Sequence, residues 1–107
     1  MSIFDEHISD LKYISHSYLR TTGWFDISHP FGYPEDPHAP DQTYAVYRKK
    51  FSGSCVEATL YCTPNEDGEL VYKLRLYYYV THTNIIVHHN LIYTEGLELM
   101  IQKYELI

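Results

Sequence analysis

The 107 residues contain no apolar run near the roughly 18 that a membrane-spanning helix requires, so no spanning helix is expected. The first ten residues lack the basic start and apolar centre of a secretory leader and carry Asp5, Glu6 and Asp10 instead. Residence in the cytoplasm is the expectation. Basic residues are scarce as well: 8 Lys and Arg stand against 14 Asp and Glu, for a net charge of -6. Nucleic acids and anionic membranes are bound largely through excess cations, so neither is an expected partner. Cysteine occurs only twice, without C-x-x-C spacing, and there is no H-E-x-x-H, glycine-rich phosphate loop, nucleophile elbow or paired-carboxylate spacing. No metal, no cofactor and no catalytic residue is expected from such a chain.

What is present suits one folded unit. Apolar residues make up 45% of the chain, enough at this length for one core and not two, so residues 1–107 are read as a single domain. Cys55 and Cys62 stand seven residues apart in a run read as one extended strand, which separates their Cα atoms by about 23 Å at 3.3 Å per residue. A disulfide needs Cα atoms within about 7 Å, so both thiols are expected to be free, as in a reducing compartment.

Ser2 and Asp5 mark a helix start, and Ile3, Phe4, Ile8, Leu11, Ile14, Tyr18 and Leu19 recur at helical spacing, predicting a helix from Ile3 to Thr21 that Gly23 ends. Ser28 to Asp41 holds four of the five prolines and cannot keep a regular ladder. Its Phe31 and Tyr33 predict an ordered loop that packs on the domain. Three β-rich runs follow, Thr43 to Phe51, Ser54 to Thr63 and Glu69 to Val80, and a fourth spans Ile85 to Tyr93. Thr94 is the expected cap of a last helix through Leu97, Met100, Ile101 and Tyr104. The fold class read from this order is α+β: an N-terminal helix, a three- to four-stranded antiparallel meander and a C-terminal helix, with the helices packed on one sheet face.

Alternation along the third run separates Leu70, Tyr72, Leu74, Leu76, Tyr78 and Val80, a core face, from Val71, Lys73, Arg75, Tyr77 and Tyr79. Val56, Ala58, Leu60 and Cys62 fit the same core face. Pairing Cys62 with Leu70 sets Glu57 opposite Arg75 as a cross-strand ion pair, and a two-residue turn at Ser52-Gly53 pairs Phe51 with Ser54. The other face then carries tyrosine with Arg48, Lys50, Lys73 and Arg75. Arg48, Tyr61, Lys73, Arg75, Tyr77 and Tyr79 are the candidate interaction residues, because tyrosine and arginine together dominate the centres of protein interfaces. An open sheet face dressed with long side chains over aromatics explains the same residues without a partner.

Other readings compete. Tyrosines beside Lys and Arg also suit stacked bases and phosphates, which makes single-stranded nucleic acid an alternative on this face, against the acidic balance. The chain holds seven histidines, and His82, His88 and His89 cluster near the fourth run, but the last two face opposite ways on a strand and suit a metal poorly. A small-ligand or enzymatic pocket under the proline loop would use Trp24, His29, Phe31, Tyr33 and His38. The helix, meander, helix order resembles that of double-stranded RNA-binding domains, whose basic final helix is replaced here by Lys103 against Glu95, Glu98 and Glu105. Short, acidic, tyrosine-rich chains of this style are similar to the accessory or inhibitor proteins of phages and other mobile elements. That similarity implies an action by binding another macromolecule, and the reading drawn from the whole chain is a non-catalytic domain acting through contacts with a protein partner, or with itself as a homodimer through the open sheet face.

Overall fold

The computed structural model describes residues 12–27, 39, 40 and 42–107, and at 88 and 89 the backbone alone. Residues 3–11 of the helix expected from Ile3 to Thr21, and residues 28–38 and 41 of the proline loop expected from Ser28 to Asp41, lie outside the described residues. Helix α1 (His16–Thr21) leads into strand β1 (Phe25–Asp26). Strands β2 (Ala45–Phe51), β3 (Val56–Pro64), β4 (Leu70–Tyr78) and β5 (Thr83–Leu91) follow, and helix α2 (Thr94–Lys103) comes last. The strands form one antiparallel sheet in the order β1-β2-β3-β4-β5. The expected three or four strands beneath two substantial helices are thereby corrected: among the described residues strand predominates, and the two helices have six and ten residues.

Helix α1 begins only at His16 because the residues just before it are held extended by a bridge to Tyr93. Ser15 is extended (φ -129°, ψ 162°), and its side chain accepts the Tyr18 N–H at 3.1 Å. Just before it, Tyr13 pairs antiparallel with Tyr93, the Ile14 N–H donates to Ile92 O and the Thr94 N–H to Lys12 O, each at 2.9 Å. A serine that satisfies a free helix N–H favours a boundary over another turn, so the helical spacing of Ile14 with Tyr18 is overridden. Gly23 (φ 92°) does end the helix, with Trp24 N–H bonded to Leu19 O and Gly23 N–H to Arg20 O. For α2 the cap position is Tyr93, which makes no side-chain cap bond, so Thr94 is the first helical residue and not the cap.

Both hairpins keep the expected faces but shift register by two residues. Four residues, Ser52 to Cys55, join β2 to β3, so Phe51 pairs with Val56 and not with Ser54. Cys55 sits in the turn with a left-handed φ of 57°. At the next turn Asn65 Oδ1 accepts the N–H groups of Asp67 and Glu69, both at 2.9 Å, which moves the centre of the turn one residue along the chain, and Cys62 pairs with Tyr72. Arg75 therefore faces Thr59, and Glu57 meets Arg48 instead. In β5, His88, His89 and Asn90 oppose Lys73 alone, a bulge between the Leu74–Val87 and Tyr72–Leu91 pairs.

The core lies on one sheet face. Tyr47, Leu60, Leu74 and Val87 form a cross-strand row at its centre, joined by Ala58, Leu76, Phe51 and Val56, and Leu19, Trp24, Leu97 and Leu106 close over it. Tyr72 and Tyr78 pack against this cluster as expected, whereas Leu70 and Val80 at the strand ends are exposed. Tyr18 joins the helices by donating to Glu98 Oε1 at 3.0 Å. Burial first, then the bond to Glu98 and its charge, push the Tyr18 hydroxyl up to about 12. The folded state thus holds a proton that the unfolded chain loses from about pH 10 upward, and stability falls as pH rises from about 10 to about 12. Glu98→Gln should lower the Tyr18 midpoint, read by NMR of labelled tyrosine Cζ, while leaving it above the ordinary value. A midpoint that the variant does not move would contradict the bond.

The chain end is latched to the β2–β3 turn. Ser54 Oγ donates to Glu105 O at 2.9 Å and accepts the Ile107 N–H at 2.7 Å, while the Ser54 N–H donates to Ile107 O at 3.2 Å. The latch holds Glu105 at a left-handed φ of 53° and seats Leu106 in the core. A Cβ at Gly53 would lie 2.9 Å from Ile107 O. Gly53→Ala should therefore destabilise the domain by about 1–3 kcal/mol in urea titration. The same substitution should cost almost nothing in a chain lacking Leu106 and Ile107; an equal cost in both would rule out the contact as its cause.

Candidate interaction face

The registers place the second sheet face in three cross-strand rows: Val46, Tyr61 and Lys73; Arg48, Thr59, Arg75 and Ile86; Lys50, Glu57, Tyr77 and Asn84. The face is not simply open. Val46, Thr59, Tyr61, Thr63 and Val71 are all at most 3% exposed, so its centre is a second buried layer. Long polar side chains stand over that layer. Arg75 Nε donates to the Tyr61 hydroxyl at 2.9 Å and Arg75 Nη1 to Asn84 Oδ1 at 3.0 Å, which fixes the guanidinium at both ends. Tyr61 itself is 2% exposed, and its hydroxyl supports Arg75 from below.

Around Arg75 the candidates Arg48, Tyr79 and Tyr77 each have a partner. Arg48 Nε is shielded from water and lies 3.2 Å from Glu57 Oε1, a charge contact without an aligned hydrogen bond. Lys50 Nζ sits 5.1 Å from the centre of the Tyr79 ring. The Tyr77 hydroxyl lies 2.9 Å from His82 Nδ1, with His82 held at a left-handed φ of 55° in the β4–β5 turn. Lys73 is half-buried and lines an open groove of about 510 Å³ beside the Asn65 turn, with Glu66, Asp67 and Asn90. Exposed Ile86 is the cross-strand neighbour of Arg75 and supplies an apolar centre that side-chain type alone did not single out. Asn84 was missed as well, Lys50 was placed on this face without being counted among the candidates, and His82 was read only as part of a histidine cluster; their signal is position, since each pairs across strands or turns with a candidate already named.

Sequence reasoning missed a second polar cluster altogether. His16 Nδ1 lies 2.9 Å from the Tyr47 hydroxyl and 3.9 Å from Asp26 Oδ2, and Asp26 is the cross-strand partner of Tyr47. The Tyr47 ring stands 6.3 Å from Tyr72. Burial, followed by Cys62 and Tyr47, raises the Tyr72 hydroxyl; burial also raises the Cys62 thiol, partly opposed by its bond to Tyr72. Two tyrosines separate the imidazole from a thiol that is itself buried, so the group lacks the direct contact that activates a nucleophile. Exposed His16 gives the hydroxyl of buried Tyr47 a partner at the edge of the core. His16 was legible only as part of a polar helix face, because its partners come from strands 10 and 31 residues away.

Of the residues proposed to line a pocket, Trp24 is buried edge-on against Phe51 at 6.3 Å, and His29, Phe31, Tyr33 and His38 lie outside the described residues. The side chains of His88 and His89 do too. Among the described residues no three His, Cys, Asp or Glu side chains are grouped to hold a metal, and no helix is long and apolar enough to cross a membrane. Both cysteines are free; Cys55 Sγ faces Ser52 O at 3.7 Å. Comparison of the chain with protein-family models, with curated proteins and with solved structures found no match.

The two thiols should differ in reactivity. Half-exposed Cys55 should react with a disulfide reagent at native pH within the mixing period, and buried Cys62 only at the rate of opening. Two thiols reacting together in the folded protein would contradict the burial of Cys62.

Proposed function

We propose that the domain is a non-catalytic binding protein that works through protein–protein contacts, with the tyrosine and basic sheet face as its contact surface and an acidic surface on the partner. The observation that carries this reading is the fixing of Arg75 between Tyr61 and Asn84. A long cation already held in one rotamer gives up little entropy on docking, and an arginine beside exposed Ile86 has the composition of an interface centre. Arg48, Lys50, Lys73 and Arg75 stand against Glu57 on this face, in a chain whose net charge is -6, so the charge is segregated rather than spread. Such a domain would act by covering a site on its partner, the role of an accessory or inhibitor-type protein, and its free thiols suit the reducing cytoplasm.

The partner is either another protein or a second copy, and solution mass separates the two. Light scattering across salt concentrations should give a monomer, and affinity capture with the wild type should retain proteins that Lys50→Glu and Arg75→Glu both release. Lys50→Glu leaves the Tyr61–Arg75–Asn84 bonds intact, so its loss of capture reports charge and not folding. A dimer split by the same variants would make the face a self-interface. Tight binding of a fluorescent oligothymidine, lost on raising salt, would replace the protein partner with single-stranded nucleic acid. Unchanged capture by both variants would remove this face from the function.

A further inference from the structure

A separate surface lies where β5 runs into α2. An open groove of about 360 Å³ is formed there by Leu91, Ile92, Tyr93, Glu95, Gly96 and Leu99, and most of its lining is carbon. Glu95, Gly96 and Leu99 fall on one side of α2 by their three- and four-residue spacing. Leu99 is 53% exposed, although Leu97 two positions earlier is fully buried, and Tyr13, stacked on Tyr93 at 5.2 Å, is 69% exposed. These apolar side chains stand together rather than singly, as at an interaction site.

Gly96 is the unexplained residue of this surface. It lies in the first turn of a helix, where glycine is the poorest ordinary helix former, and its φ is not in the left-handed region. A Cβ there would make one ordinary contact, 3.5 Å from Leu91 Cδ2. Neither backbone conformation nor packing requires glycine, so the fold gains nothing from it. Its effect is to leave the floor of the groove one methyl group deeper.

The rim is acidic. Glu95 belongs to the lining, and the charge of Glu69 reaches the Tyr93 hydroxyl, which Tyr13 first and Glu69 further hold above its ordinary value. Glu98, one turn on, bonds Tyr18. Against these stands Lys12, whose carbonyl accepts the Thr94 N–H. An apolar slot with carboxylates at its edge selects a ligand that is apolar at its tip and cationic beside it.

We infer that the groove between β5 and α2 is a second binding site, which takes a segment of a partner protein carrying a large apolar side chain next to Lys or Arg. It stands on the opposite charge preference from the basic sheet face and does not rest on that face having a partner. The domain would then hold two differently charged surfaces at once and could bridge them.

The probe is a library of random displayed peptides, selected on the full chain and scored on the Leu99→Asp and Gly96→Ala variants. Selected peptides should pair an aliphatic or aromatic residue with a nearby Lys or Arg, and both variants should bind them about tenfold more weakly. Gly96→Ala should at the same time raise the thermal midpoint by a few degrees, so its loss of binding is not a loss of fold. Amide shifts on adding the best peptide should concentrate at 91–99. Acidic peptides, peptides held equally by Leu99→Asp, or no enrichment at all would overturn the inference. So would a dimer in sedimentation that Leu99→Asp splits, since the groove would then be filled by a second copy.

Discussion

Burial of β3 on both faces is the constraint from which the rest of this structure follows. An antiparallel strand in a sheet covered by helices usually keeps one face wet. Here seven of the nine residues of β3 are buried, including Thr59, Tyr61 and Thr63 on the side away from the helices. Buried hydroxyls need partners, because an unpaired polar group costs about 1–3 kcal/mol. Tyr61 finds its partner in Arg75, one strand over, and that bond brings a guanidinium down onto the sheet. The strand that supplies the apolar core row through Leu60 therefore also organises the polar face behind it.

This coupling changes what the basic face is. Four cations on neighbouring strands would ordinarily wave in water and contribute little. Arg75 is tied to Tyr61 and Asn84, Arg48 stands against Glu57, and Lys50 lies over Tyr79, so the surface presented to a partner is largely set before contact. The same economy is visible at the chain end, where one serine side chain and one missing Cβ join the β2–β3 turn to the residues after α2.

Strand positions, strand faces and the antiparallel order were legible because period-two alternation is insensitive to loop length. The turns were not: the longer Ser52 to Cys55 loop and the displaced centre of the Asn65 turn each moved the register by two residues, which preserves every face but changes every partner. The Glu57–Arg75 pair was lost that way and Glu57–Arg48 took its place. The segment at Tyr13 was misread because a strand bridge to Tyr93, 80 residues on, outweighs local helical spacing. Tyr61 read as part of an open face because residue type reports what a side chain can do, not what stands over it. The cluster of His16, Asp26 and Tyr47 is assembled by β1–β2 pairing and has no local signature.

The most direct test of a preset face is the mobility of the Arg75 side chain, measured by 15N relaxation at its Nε. Tied between Tyr61 and Asn84, that N–H should be about as ordered as the backbone amides of β4, while Nε of exposed Arg20 on α1 should be free on the same timescale. Equal, high mobility at both arginines would contradict the account, because the guanidinium would then be an ordinary solvated charge and the face would have no fixed shape to offer.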